Sequence, residues 1–329
     1  MTVGIVANPA SGRDIRRLVA GASVFGNADK AAMVFRLLTG LGAVGVQRAL
    51  MMPAGDGLSR TLQRHLSGPV SGELPALEVL DMPLTSTATD TTHAVERMCA
   101  EGVAAIVVLG GDGTHRVVAK GCGDVPICAL STGTNNVFPE MRETTIAGIA
   151  TGLVATGRGG LGALRRAAAL VVERPGADPD LALVDVAVTS ERFVGARALW
   201  RPETLSELFV TFADPSAVGL SSVAGMLAPG ARGLHVRIAR DPAQTHVVLQ
   251  VALAPGLVTP IAVASYETLE HSAAVALAPD GRSIALDGER EIERHGDDGA
   301  TVRLLDGPLR IDVDAVMGAY AASLHAAAG

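Results

Sequence analysis

Ile106-Val107-Val108-Leu109-Gly110-Gly111-Asp112-Gly113-Thr114 is the stretch on which the fold turns. Its first four residues are apolar and mostly β-branched, as in a strand covered on both faces. The glycines end that strand, and Thr114 opens a helical pattern running to 121. Strand, glycine-rich turn and helix together are the repeating unit of an open α/β sheet. Glycine lets a backbone approach phosphate oxygens, and a helix N-terminus offers N–H groups with no partner of their own. A carboxylate in that turn repels phosphate unless it binds Mg²⁺ or polarises an acceptor hydroxyl; otherwise Asp112 is a helix cap. The residues leave these readings open.

Outward from this stretch, short apolar runs at 3–7, 46–51, 77–80, 104–109 and 126–130 alternate with helical patterns near 28–41, 57–66, 88–101, 114–121 and 143–155. That alternation predicts a doubly wound α/β domain over residues 1–157 with a parallel sheet. The glycine-dense stretch 155–162 marks a boundary. Beyond it the pattern turns strand-rich, at 168–173, 182–189, 234–239, 247–253, 274–278, 283–286 and 301–305, with one helix expected near 203–213. A second, mostly antiparallel β-rich domain over 158–313 follows, serving substrate binding or oligomerisation. The Ala-rich helix 314–329 is expected to pack back on the first domain.

Four more polar stretches fall at strand ends or turns. Asn8-Pro9-Ala10-Ser11-Gly12-Arg13 follows the first strand, at the sheet edge where open α/β folds bind ligands. Ser11 offers a hydroxyl, Gly12 an amide and Arg13 a charge; a capped turn is the plainer reading. Ser131-Thr132-Gly133-Thr134-Asn135-Asn136 follows the fifth strand and suits hydrogen bonding to base, ribose or phosphate, or is simply a polar loop. Ile284-Ala285-Leu286-Asp287-Gly288-Glu289 places two carboxylates about a glycine, which is also a common hairpin turn. In the hydroxyl-rich 85–92, Thr91 is a candidate for the substrate side, against the alternative that Asp90 or Thr91 caps the next helix.

Several classes are excluded. The formal net charge is -7 with no dense basic run, which argues against a nucleic-acid partner. Lys30 and Lys120 are the only lysines and neither completes a GxxxxGK[ST] loop. There is no GxSxG elbow and no HExxH helix, and the eight histidines lack metal-ligand spacing. His115 is expected as a partly exposed helix residue. Cys99, Cys122 and Cys128 form no CxxC pair and read as free thiols of a reducing compartment. The N-terminus reads as a strand, not a signal peptide, and no apolar run reaches the ~20 residues of a membrane span. A cytoplasmic protein without membrane contact is expected.

These motifs, in this order, resemble the NAD-kinase and diacylglycerol-kinase superfamily. Asn8–Gly12 is similar to its NPxSG turn, Gly110–Thr114 to GGDGT, 131–136 to the lipid-kinase P-x-G-T-x-N loop with Ser131 for proline, and Asp287–Glu289 to DGE or DGQ. The stretch 219–225, with Ser221 and Ser222, echoes a NAD-kinase GSTAY-x-x-SAGG segment. Residues 7–19 with 131–139 resemble the acetoin-catabolism protein X branch, of ATP-NAD kinase type. The resemblance implies an ATP- and Mg²⁺-dependent phosphotransferase acting on a hydroxyl of a nucleotide-like or small acceptor, with NAD as the default, linked to acetoin catabolism. It also implies a homo-oligomer, dimer or tetramer. Asp112 becomes the central acid and Mg²⁺ ligand, and Asp287 a base or metal-site partner. Asn8, Ser11, Gly12, Gly110, Gly111, Gly113, Thr114, Thr132, Gly133, Thr134 and Asn136 would hold nucleotide or phosphate. Arg13, Thr91, Ser221, Ser222 and Glu289 would face the acceptor.

Three departures stand out. Arg116 and Val117 replace an Asn-Glu pair common in the lipid kinases, Val137 replaces an Asp, and the NAD kinases' ribose-gripping Asn-Glu or Asn-Asp has no evident counterpart. The donor half of the site is intact and the acceptor half altered, so a catalytically silent nucleotide- or NAD-binding regulatory protein is the alternative.

Overall fold

The structure, a computed structural model, describes residues 1–8, 25–69, 72–191 and 202–328. Five parallel strands, β1 (Thr2–Ala7), β2 (Arg48–Met51), β3 (Ala76–Val79), β4 (Ala105–Gly110) and β5 (Ile127–Ser131), lie in the order β3-β2-β1-β4-β5. Helices α1 (Asn27–Ala43), α2 (Asp56–Leu66) and α5 (Thr144–Ala155) cover one face; α3 (Ala88–Ala100) and α4 (Asp112–Gly121) cover the other. Along β4, Val107 and Leu109 enter the first core while Ile106 and Val108 enter the second. This two-sided burial is why the strand sequences are uniformly apolar.

The sheet continues past residue 157. β16 (Thr301–Ile311) joins β5 in parallel, β6 (Leu164–Glu173) runs antiparallel to β16, and β7 (Asp180–Ala182) and β13 (Ala274–Ala276) complete it. The expected boundary lies in a turn, but the sheets do not divide the chain there. A second sheet, wholly antiparallel, has the order β11-β12-β10-β9-β8-β14-β15. Its strands are β8 (Asp185–Thr189), β9 (Leu205–Phe212), β10 (Arg232–Ile238), β11 (Val247–Ala254), β12 (Leu257–Thr268), β14 (Ser283–Leu286) and β15 (Glu289–Glu293). The short α6 (Ser221–Leu227) packs on this sheet. The last helix, α7 (Val313–Ala328), returns to α5: Val313 and Val316 share a core with Ala147, Ala150 and Leu153.

Two expectations need correction. Residues 203–213 do not form a helix; most of them make β9, a central strand. The misreading has a physical cause. Leu205, Leu208, Phe209 and Phe212 recur with helical spacing, yet Leu208 and Val210 face one core while Phe209 faces the other. Strand β12 escaped notice because Pro260 interrupts it. There β12 pairs only with β11, Pro260 opposite Gln250, because β10 reaches no further than Val263. The missing N–H therefore breaks no ladder on the unpaired side.

Candidate functional site

The strand order reverses between β1 and β4, and in open α/β sheets ligands bind above such a point, at the carboxyl ends of the strands. Three loops meet there. Asn8 Nδ2 donates to Thr114 Oγ1 at 3.1 Å, and Thr132 N donates to Gly110 O at 3.3 Å. A Cβ on Gly111 would stand 2.8 Å from Asn136 Oδ1, so only glycine admits that asparagine. Asn136 Nδ2 donates to Ser131 Oγ at 2.8 Å, and Ser131 Oγ donates to Gly133 O at 2.7 Å, which shapes the last loop. Thr134 is exposed, and the place of a Cβ on Gly113 is open space. Ser11, Gly12 and Arg13 lie outside the described residues.

Asp112 does not cap its helix. Gly111 is the N-cap, and the Asp112 carboxylate reaches across to the loop after β5. Val137 N donates to its oxygens at 3.1 and 3.2 Å, and Phe138 N to Oδ1 at 2.8 Å. These amides tie the glycine turn to the 131–136 loop. Among the described residues no cluster of three or more His, Cys, Asp or Glu is placed to hold a metal. Both Asp112 oxygens accept amide N–H, and the lone pairs left on the carboxylate would hold Mg²⁺ only together with a nucleotide's own phosphates.

Asp287 lies in the hairpin between β14 and β15. Its φ is +52° and that of Gly288 is +77°, the double left-handed geometry of a two-residue turn. The carboxylate turns inward: Oδ1 accepts from Leu183 N at 2.9 Å and Val184 N at 2.8 Å, while Oδ2 lies 3.6 Å from Arg116 Nε. Oδ2 accepts no hydrogen bond among the described residues. Burial pushes the Asp287 carboxyl up to about 6, with Arg116 and the amides pulling the other way. Arg116 lies one helical turn beyond Asp112, so α4 links the two acids across the two sheets. The hairpin reading of Asp-Gly holds, and the carboxylate of that turn is buried against Arg116.

The remaining candidates lie elsewhere. Thr91 is buried on α3 with its hydroxyl 3.7 Å from Met52 Sδ. Asp90 accepts from Thr85 N and Ser86 N, both at 2.8 Å, which braces the turn ahead of α3; the N-cap is Thr87, so neither Asp90 nor Thr91 caps the helix. Ser221 is buried on α6, and Ser222 Oγ donates to Gly219 O at 2.6 Å. Glu289 opens β15 opposite Leu286. His115 is not partly exposed but wholly buried. Its Nδ1–H donates to Gly111 O at 2.8 Å, and burial drives its pKa down to about 4, which keeps the ring neutral.

Sequence reasoning missed three cations. Lys30, buried on α1, donates from Nζ to Asn8 O at 2.9 Å, beside the Asn8–Thr114 bridge. Arg116 was visible only as a departure from a motif. Arg310 borders a cleft of about 530 Å³ between the two sheets, whose wall includes Val137, Phe138, Leu183 and Val184, the residues whose amides hold Asp112 and Asp287.

The chain is similar to known proteins. The ATP-NAD kinase N-terminal domain family matches residues 3–158, and the acetoin catabolism protein X C-terminal domain family matches residues 168–306. A diacylglycerol-kinase candidate from Bacillus anthracis strain Sterne superposes with a TM-score of 0.45 at 13% identity, covering 94% of this chain and 96% of that one. The acetoin catabolism protein X of Cupriavidus necator is 48% identical over 328 residues, spanning 96% of this chain and 91% of that protein. On that shared length and identity, the chain belongs to the acetoin catabolism protein X family, whose first half is an ATP-NAD kinase-type domain.

Proposed function

We propose that the protein is a nucleotide-dependent phosphotransferase, taking ATP as donor and passing its terminal phosphoryl group to a hydroxyl of a small or nucleotide-like acceptor. NAD is the default acceptor, and acetoin catabolism, named for the Cupriavidus necator relative, is the proposed setting. The observation that carries this reading is the interlocking of Asn8, 110–114 and 131–138 at one reversal of strand order. Phosphoryl transfer needs positioning and charge neutralisation more than covalent help. The turn amides and Lys30 supply positive potential for a polyphosphate.

Asp287 is the proposed base. A carboxyl with a pKa of about 6 and one oxygen not accepting a hydrogen bond can take a proton near neutral pH. The acceptor oxygen bonds to the terminal phosphorus as the bridging bond to ADP breaks, and its proton passes to Asp287 Oδ2. No step is routed through a protein-bound metal. Asp112, engaged by two amides, holds the loops in register. Action in the cytoplasm as a dimer or tetramer, without nucleic-acid or membrane partners, completes the proposal. Among the described residues no helix is long and apolar enough to cross a membrane.

One observation favours a second reading. Arg116 stands against Asp287 where the lipid kinases carry a different residue, and an acid committed to an ion pair is a poor base. A silent nucleotide-binding protein would bind ATP and release nothing. Incubation with ATP, Mg²⁺ and a panel of NAD, NADH, diacylglycerol and small diols, followed by ADP measurement, decides between them. Saturable ATP binding with no ADP formed from any acceptor would sink the phosphotransferase.

A further inference from the structure

From the side chains of the cleft between the two sheets, we infer a binding site for an oxyanion, phosphate or carboxylate, borne by a small organic acceptor and anchored on Arg310 and Arg166. The word acceptor rests on the phosphotransferase reading; the anion site does not.

A cleft of about 530 Å³ is of small-molecule size. The chain carries a net charge of -7, yet in this one cavity four arginines, Arg165, Arg166, Arg232 and Arg310, outnumber three acids, Glu140, Asp214 and Asp312. Two of them have exchangeable partners. Arg166 pairs at 3.0 Å with Asp124, whose side chain is 86% exposed, and Arg310 at 3.1 Å with Glu140, which is 50% exposed. Ion pairs to such exposed carboxylates hold little net energy, so an incoming oxyanion displaces them at small cost.

Arg310 is the strongest of the four sites for an anion. Its guanidinium lies 4.7 Å above the Phe138 ring, which fixes the plane of the fork, and burial draws its pKa below that of a free arginine. A desolvated, oriented guanidinium binds a planar or tetrahedral oxyanion through two parallel N–H donors. Ala167, Ala168, Phe212 and Ile311 give the wall an apolar part that accommodates a short carbon body, while Glu140, Thr211, Asp214 and Asp312 make another part polar. The placement also has a consequence for chemistry. The backbone amide of Phe138 holds Asp112, and the amides of Leu183 and Val184, in the same wall, hold Asp287. An anion on Arg310 therefore packs against the main chain that holds both acids, though neither acid itself lines the cleft.

The test is a calorimetric titration of the full chain with inorganic pyrophosphate and, separately, citrate. Each runs with and without a saturating non-hydrolysable ATP analogue that fills the donor loops. Saturable binding of pyrophosphate but not citrate assigns a phosphate, and the reverse a carboxylate. Arg310→Gln and Arg166→Gln should each weaken it about tenfold, the loss of one charge-assisted pair. Glu140→Gln, which removes a competing carboxylate, should tighten it about threefold. That gain is one a merely structural role for these residues would not produce. Hydrogen exchange should slow at 137–140 and 309–312 when the anion binds. If Arg310→Gln does not fold, Arg166→Gln and Glu140→Gln still decide. Anion affinity unchanged in both, or protection confined to the donor loops, overturns the site. Anion binding without any nucleotide binding would defeat the phosphotransferase while leaving this site standing.

Discussion

Asp112 and Asp287 are the same side chain held in the same way, each carboxylate gripped by consecutive backbone amides, yet they are suited to different work. Asp112 is partly exposed at the start of α4, and the amides of Val137 and Phe138 occupy both of its oxygens. Asp287 is buried in a hairpin, and the amides of Leu183 and Val184 take only Oδ1. Oδ2 is left facing Arg116, and burial raises the pKa to about 6. Hydrogen-bond saturation makes a carboxylate a strap; burial with an oxygen left over makes it a proton acceptor. The proposed function therefore assigns the base to the second-sheet acid and not to the one in the glycine turn.

Four substitutions or conditions would break or sharpen that contrast. Asp287→Asn keeps the left-handed turn, which asparagine tolerates, but removes the base. Turnover should fall about 10²- to 10⁴-fold with ATP affinity little changed, read by steady-state kinetics beside nucleotide titration. Wild-type turnover should also decline as pH drops through about 6, the protonation of Asp287.

Stability gives the next effect. The Asp287 pKa is raised from 3.8 to about 6, so between those values the folded chain holds a proton that the unfolded chain has released. Stability therefore falls as pH rises through that window, and the penalty is complete above it. Relative to wild type, Asp287→Asn should gain on the order of 3 kcal/mol from pH 4 to pH 7 in denaturant titrations. A flat difference would mean that the buried carboxyl titrates normally.

Asp112→Ala should cost about 2–3 kcal/mol, the loss of a charged acceptor for two main-chain donors, and should speed hydrogen exchange at Val137 and Phe138. If stability holds but turnover collapses, the roles assigned to the two acids are reversed. Gly111→Ala should cost about 1–2 kcal/mol, because its Cβ would displace Asn136, and should weaken ATP binding before it affects turnover at saturating ATP.

Legibility followed distance along the chain. The strand–turn–helix at 106–121 was readable because strand burial, glycine freedom and helix start all act within a few residues. The same holds for the helices at 88–100 and 144–155, found within a residue or so of their observed ends. β9 was misread because a strand covered on both faces has no alternation left to show, and its leucines and phenylalanines fell by chance on a helical spacing. Asp287 was visible as Asp-Gly, but nothing local distinguished a hairpin from a site. Its character comes from Leu183, Val184 and Arg116, far from it in sequence. Lys30 was set aside because it completes no GxxxxGK[ST] loop, while in space it donates to Asn8 O.

The sequence by itself determined the elements and the glycine turns, because helix and strand periodicity and backbone freedom are local properties of neighbouring residues. Only the tertiary structure decided which acid is saturated and which retains an oxygen with a raised pKa. It alone gathered arginines from β6, β10 and β16 around one cleft. The reason is that desolvation and hydrogen-bond completion depend on what the rest of the chain packs against a group, and no window of sequence carries that information.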